Sequence, residues 1–95
     1  MLEIKYTKTA FNDLDKIFKL IFEDKKNVAI EYINKLRKYI KLLEENPYMG
    51  LDCKNKNINK KCRIIILESY NIYYSIEKDY IKILKIINAK QLQKI

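Results

Sequence analysis

The chain has 95 residues, 48% of them hydrophobic, with one Gly and one Pro; that is enough for one core, and it excludes a chain dominated by loops or disorder. Its formal charge is +8 and is carried unevenly: residues 1–50 hold ten Lys or Arg against eight Asp or Glu, and residues 51–95 hold ten against four. With no His and two Cys, Ser-His and Cys-His nucleophilic catalysis, a His general base and the usual zinc sets are all excluded.

These bounds predict a single domain over residues 1–95. The opening MLEIKY has no basic segment followed by an apolar one, and nowhere do about eighteen uncharged apolar residues run together, so a cytoplasmic protein is expected. In that reducing compartment Cys53 and Cys62 are expected to be free thiols rather than a disulfide. The basic C-terminal half favours an anionic partner, whether nucleic acid, an acidic protein or a nucleoprotein; surface lysines placed for solubility are the alternative.

In chain order, Leu2, Ile4 and Tyr6 alternate with polar neighbours as in a half-buried strand. Thr7 or Thr9 offers a helix-capping hydroxyl. The apolar period then changes to three and four over Ala10, Phe11, Leu14, Ile17, Phe18, Ile21 and Phe22, one stripe of an amphipathic helix. A charged run ending in Asn27, a candidate N-cap, separates it from a second helix carried by Val28, Ala29, Tyr32, Ile33, Leu36, Ile40 and Leu43 and ending near Glu45. So short a link predicts an antiparallel helical hairpin.

Residues 46–59 hold Pro47 and Gly50 and read as the one long loop. Three strands follow, Cys62–Glu68, Tyr70–Ile76 and Tyr80–Ile87, as a meander. The tail beyond Asn88 is too short to assign. The expected fold class is α+β: an N-terminal strand, an antiparallel helical hairpin, then a three-stranded antiparallel meander, with the helices packed on one face of the sheet. The first strand is expected to pair parallel with the last.

Asp13 with Asp15 and Glu44 with Glu45 lie on the polar sides of predicted helices and read as solvated. The chemistry left open uses Lys, Arg and Tyr: RNA can be cleaved without metal when cations stabilise a pentavalent phosphate and protonate the leaving oxygen. Candidates are Lys54, Lys56, Lys60, Lys61 and Arg63 around the loop, with Lys85 and Lys90 near the end. Tyr70, Tyr73 and Tyr74 fit strand propensity and are read as core or sheet residues before base-stacking ones. No cofactor is called for.

Four segments in order resemble the RelE/ParE toxins of bacterial type II toxin-antitoxin modules. YTKTAFNDLDKIFKLI resembles the family's opening strand and helix, through Thr7, Ala10, Asp13 and Leu14. LLEENPYMG resembles its Asn-Pro-x-x-Gly turn, through Asn46, Pro47 and Gly50. CRIIILESYNIYYSI resembles the central hairpin, through Arg63, Tyr70 and Tyr74, and KILKIINAK the closing strand.

The resemblance implies a toxin held by a cognate acidic antitoxin as a hetero-oligomer. Implied target-binding residues are Lys60, Lys61, Arg63, Tyr70, Tyr74 and Lys90. Implied antitoxin-binding residues are Leu14, Phe18, Ile21, Tyr32 and Leu36. RNA-cleaving members place Arg where Asn71 and Ser75 stand, a basic residue at Ile65 and a late Tyr or His that is missing here, so the ParE branch, whose members inhibit DNA gyrase and serve plasmid stabilisation, is favoured over an enzyme. The alternatives kept are a ribosome-dependent, metal-independent endoribonuclease using Arg63, Lys61, Lys85 and Lys90, and a relative that has lost toxicity and acts only by interaction.

Overall fold

The computed structural model describes residues 2–56 and 61–90. Strand β1 (Glu3–Tyr6) leads through Thr7 into helix α1 (Lys8–Phe22) and then α2 (Lys26–Lys41), which ends in a 3₁₀ turn at Leu42–Glu44. After the turn come β2 (Leu51–Asp52), a second 3₁₀ turn (Cys53–Lys56), β3 (Arg63–Leu67), β4 (Tyr70–Ile76) and β5 (Tyr80–Asn88).

The strands form one sheet in the order β1-β5-β4-β3-β2. β1 runs parallel to β5, with Glu3 opposite Tyr80 and Tyr6 opposite Ile83, as the strand-helix-helix-meander order requires. All other neighbours are antiparallel. The sheet is therefore mixed. A parallel partner needs a long crossover, and the helical hairpin lies between β1 and the meander.

Helix α1 begins at Thr7, whose hydroxyl accepts the Ala10 N–H at 3.0 Å, so Thr7 rather than Thr9 is the cap. The expected cap at Asn27 is corrected: α2 starts after Lys25, which makes no side-chain capping bond, and Asn27 lies inside the helix. The reason is the tightness of the link. Asp24 and Lys25 both donate to the Ile21 carbonyl, which closes α1 and leaves Lys25 as the first extended residue.

The hairpin covers one face of the sheet. Ala10, Leu14 and Ile17 of α1 and Leu36 and Ile40 of α2 meet Ile65, Ile72, Tyr74, Ile81, Ile83 and Ile86 in the main core; each buried aliphatic side chain contributes on the order of 1.5–3 kcal/mol. The opposite face carries a smaller cluster of Cys53, Cys62, Ile64 and Tyr73, flanked by Leu84 and Ile87.

The expected long loop is thus partly ordered by the sheet. Leu51 and Asp52 pair with Ile64 and Arg63, and the Cys53 N–H donates to the Cys62 carbonyl at 2.9 Å. That register brings the two cysteine Cα atoms to 5.3 Å, and they form a disulfide; the separation is one such a bond bridges. The expectation of two free thiols is corrected accordingly. Compartment arguments speak to redox poise, whereas cross-strand placement decides whether two thiols can meet.

The β4–β5 register slips between Tyr73, opposite Lys85, and Tyr74, opposite Ile83, which leaves Leu84 as an extra residue on β5. A bulge frees backbone groups from the ladder, and here side chains from the N-terminal segment take them up. The Thr7 hydroxyl donates to the Leu84 carbonyl at 3.0 Å, and Asp13 Oδ2 accepts the Ile86 N–H at 2.9 Å. Asp13 is therefore not the solvated carboxylate that its helical position suggests. Asp15 is exposed and pairs with Lys19 at 2.9 Å.

Candidate functional site

The Asn46–Gly50 turn is held by two side chains from the sheet. Asn46 closes the end of the helical region, with its backbone and side-chain N–H groups both on the Leu42 carbonyl at 3.1 Å. The Tyr74 hydroxyl donates to the Pro47 carbonyl at 2.7 Å and accepts the Gly50 N–H at 3.0 Å. Arg63 then donates twice to the Gly50 carbonyl, from Nε at 3.0 Å and Nη2 at 2.8 Å. Gly50 is required sterically: a Cβ there would lie 2.6 Å from the Tyr74 hydroxyl and 2.8 Å from the Ile64 carbonyl. Burial pushes the Tyr74 hydroxyl above its ordinary range, partly opposed by the Gly50 backbone bond and the Arg63 charge.

Beside this lock lies a cleft of about 550 Å³ lined by Tyr48, Asp52, Lys54, Lys61, Cys62, Arg63, Ser75, Ile76 and Glu77. Tyr48 stands 70% exposed with the Arg63 guanidinium 5.2 Å from its ring centre. Opposite, Ser75 donates to Glu77 Oε2 at 2.7 Å. The cleft is mixed in charge, with Asp52 and Glu77 facing three cations.

Of the residues singled out in the sequence, Lys54, Lys61 and Arg63 come together at this cleft. Arg63 does not pair with Glu68 or Asp79; Glu68 instead binds Lys35 at 3.0 Å. Tyr74 is wholly buried and Tyr70 is 8% exposed, so Tyr74 acts on the site from beneath, through the turn, and Tyr70 packs its ring 6.0 Å from Tyr32. Lys85 sits across from Tyr73 in the β4–β5 ladder.

Lys90 is exposed, its N–H on Asn88 Oδ1. Asn88 lies opposite Tyr70 whereas Arg63 lies opposite Tyr74, a separation of four strand residues or about 13 Å. Lys90 and Arg63 thus occupy opposite ends of the sheet. Lys60 and the side chain of Lys56 lie outside the described residues.

A second surface is the helical hairpin. Leu14 and Leu36 point into the core, while Phe18, Ile21 and Tyr32 are half-buried at its margin. Phe11, Leu20, Phe22, Val28 and Ile30 are exposed. Burial, with the nearby Glu68 carboxylate adding to it, pushes the Tyr32 hydroxyl up to about 12. No helix among the described residues is long and apolar enough to cross a membrane.

Two helices laid on a mixed sheet, with the Thr7 and Asp13 contacts at a bulge and an Asn-Pro-x-x-Gly turn locked from below, define the class of the RelE/ParE toxins. The model of the family described as ParE toxin of type II toxin-antitoxin system, parDE, matches residues 4–93, and this chain belongs to that family. Among solved structures it is similar to one titled "Chromosomal ParDE TA system from P. aeruginosa", with a TM-score of 0.80, 20% identity, and coverage of 95% of this chain and 98% of that one. Likeness at that identity establishes the shared fold. No curated protein matches the chain in sequence.

Proposed function

We propose that this toxin inhibits DNA gyrase in the cytoplasm and is neutralised by a cognate acidic antitoxin. Family membership supports the toxin class; the state of Arg63 supports the target. Its guanidinium is engaged by the Gly50 carbonyl, and Asn71, Ser75 and Ile65 stand where a nuclease of this fold needs fixed charge. A charge-assisted bond is about twice as strong as a neutral one, so neutral residues there leave a developing phosphate dianion poorly stabilised. The remaining cations of the nuclease reading, Lys85 and Lys90, do not line the cleft that holds Lys61 and Arg63.

The target surface in this reading is the cleft rim, with Lys61 and Arg63 central and Tyr74 supporting them from beneath through the turn; Tyr70 and Lys90 lie toward the other end of the sheet, and Lys60 lies outside the described residues. The antitoxin covers the hairpin along the margin of Phe18, Ile21 and Tyr32 and the exposed apolar residues beside it. Leu14 and Leu36 set that surface from the core. An amphipathic acidic segment suits such a groove.

The test is a paired assay with purified protein, following supercoiling by gyrase and mRNA on translating ribosomes. Loss of supercoiling with intact mRNA is expected. Codon-positioned mRNA cuts with untouched supercoiling would replace this reading by the endoribonuclease, and inactivity in both by a relative that acts only as an interaction protein.

A further inference from the structure

We propose that the Cys53–Cys62 disulfide is a reducible site, opened by a cellular dithiol through the cleft, and that its state sets the position of Lys54 and Lys61 relative to Arg63 at the start of β3. The bond sits where the ladder is weakest: β2 contributes two residue pairs, and beyond them the Cys53 N–H to Cys62 carbonyl bond at 2.9 Å is, among the described residues, the last backbone tie between the two segments. Between the two cysteines the sequence KNKNINKK carries four lysines and no acidic residue.

The two sulfurs are also unequal. Cys53 is wholly buried. Cys62 lines the cleft beside Lys54, Lys61 and Arg63, and cations at that mouth attract an approaching thiolate and stabilise the Cys62 thiolate freed in the second exchange.

A thiolate of the reductant attacks the Cys62 sulfur through the cleft, forming a mixed disulfide and releasing Cys53, which takes up a proton in its apolar surroundings. The reductant's second thiol displaces Cys62 and closes its own disulfide, so two electrons and two protons pass to the protein. Opening the bond removes the covalent tie of Cys53 to β3, while the Tyr74, Gly50 and Arg63 contacts lie outside the 53–62 segment and keep the neighbouring turn in place. The change is therefore local. It moves Lys54 and Lys61 relative to Arg63, the same rim proposed above to meet the target, and only the activity readout rests on that proposal.

The full chain is purified without reductant, then treated with dithiothreitol. Alkylation and intact mass should reveal no free thiol before treatment and two after it. Amide exchange at Cys53 and Ile64 should accelerate at least tenfold on reduction, with that at Gly50 unchanged. Cys53→Ser with Cys62→Ser should exchange as the reduced form does and ignore dithiothreitol. Two reactive thiols before treatment, unchanged exchange after it, or loss of protection across the whole sheet would each overturn the proposal. Gyrase inhibition measured on both forms separates the readings: a redox-dependent exchange pattern with no inhibition in either form keeps the reducible site and removes the gyrase target.

Discussion

At Gly50 a single methyl group decides whether the turn can sit on the sheet. Such a methyl would meet the Ile64 backbone and the buried Tyr74 phenol, neither of which yields easily. Gly50→Ala should therefore destabilise the chain by about 1–3 kcal/mol, the usual range for an overpacked site, as read from urea denaturation midpoints. Tyr74→Phe should cost a similar ~1–3 kcal/mol because it leaves the buried Gly50 N–H without its acceptor. The same phenol predicts an alkaline limit. Tyr6, Tyr32 and Tyr74 are all raised above the ordinary tyrosine value of 10.0, by burial first of all, so the folded state holds their protons more tightly than the unfolded one. Their contribution is complete below about pH 10 and is lost as pH rises through the folded values. Tyrosine absorbance should show a late-titrating fraction that becomes ordinary on denaturation, and a folded protein whose absorbance shows no such late fraction would contradict this.

At the scale of elements, the bulge on β5 is what ties the N-terminal segment to the far end of the chain. Thr7 has two duties there, capping α1 and donating to the Leu84 carbonyl. Thr7→Val keeps the shape and removes both, and should cost about 1–2 kcal/mol, the range seen for lost caps. Asp13→Ala leaves the Ile86 N–H unpaired and should cost roughly 1.5–3 kcal/mol, whereas Asp13→Asn retains an acceptor and should cost less. Equal losses for the two Asp13 variants in thermal unfolding would mean that the carboxylate's bond to β5 is not what matters. In α2, Leu36→Ala opens the core beneath the hairpin and should cost about 2–5 kcal/mol.

For the molecule as a whole, the +8 charge governs how partners are found more than how tightly they are held. Association with an acidic antitoxin should slow steeply between low and physiological salt while the dissociation rate changes little. Stopped-flow mixing at several ionic strengths checks this, and a salt-independent association rate would place recognition on the apolar hairpin alone. The two proposed surfaces are separate, the hairpin on one face and the cleft at the β2–β3 margin, so charge reversal at Lys61 should impair gyrase inhibition and leave the antitoxin's dissociation rate nearly unchanged.

Periodicity was sufficient for the two helices, because stripes such as Ala10, Leu14 and Ile17 need only a local face to bury. The same holds for β4, whose bounds at Tyr70 and Ile76 are those read from its Ile and Tyr content. The order of elements also implied the parallel β1–β5 pair, and the Thr7, Asn46, Pro47, Gly50 and Arg63 pattern marked the places where the lock and the bulge later meet. Their partners were not legible. Asp13 looks like any exposed helical carboxylate until a slipped register on a strand 73 residues away presents an N–H to it. Cys53 and Cys62 look like free thiols until pairing of Leu51 with Ile64 sets their Cα atoms 5.3 Å apart. Local spacing encodes which face of an element is apolar; which distant backbone group or sulfur lies against it is fixed only when the sheet closes its register.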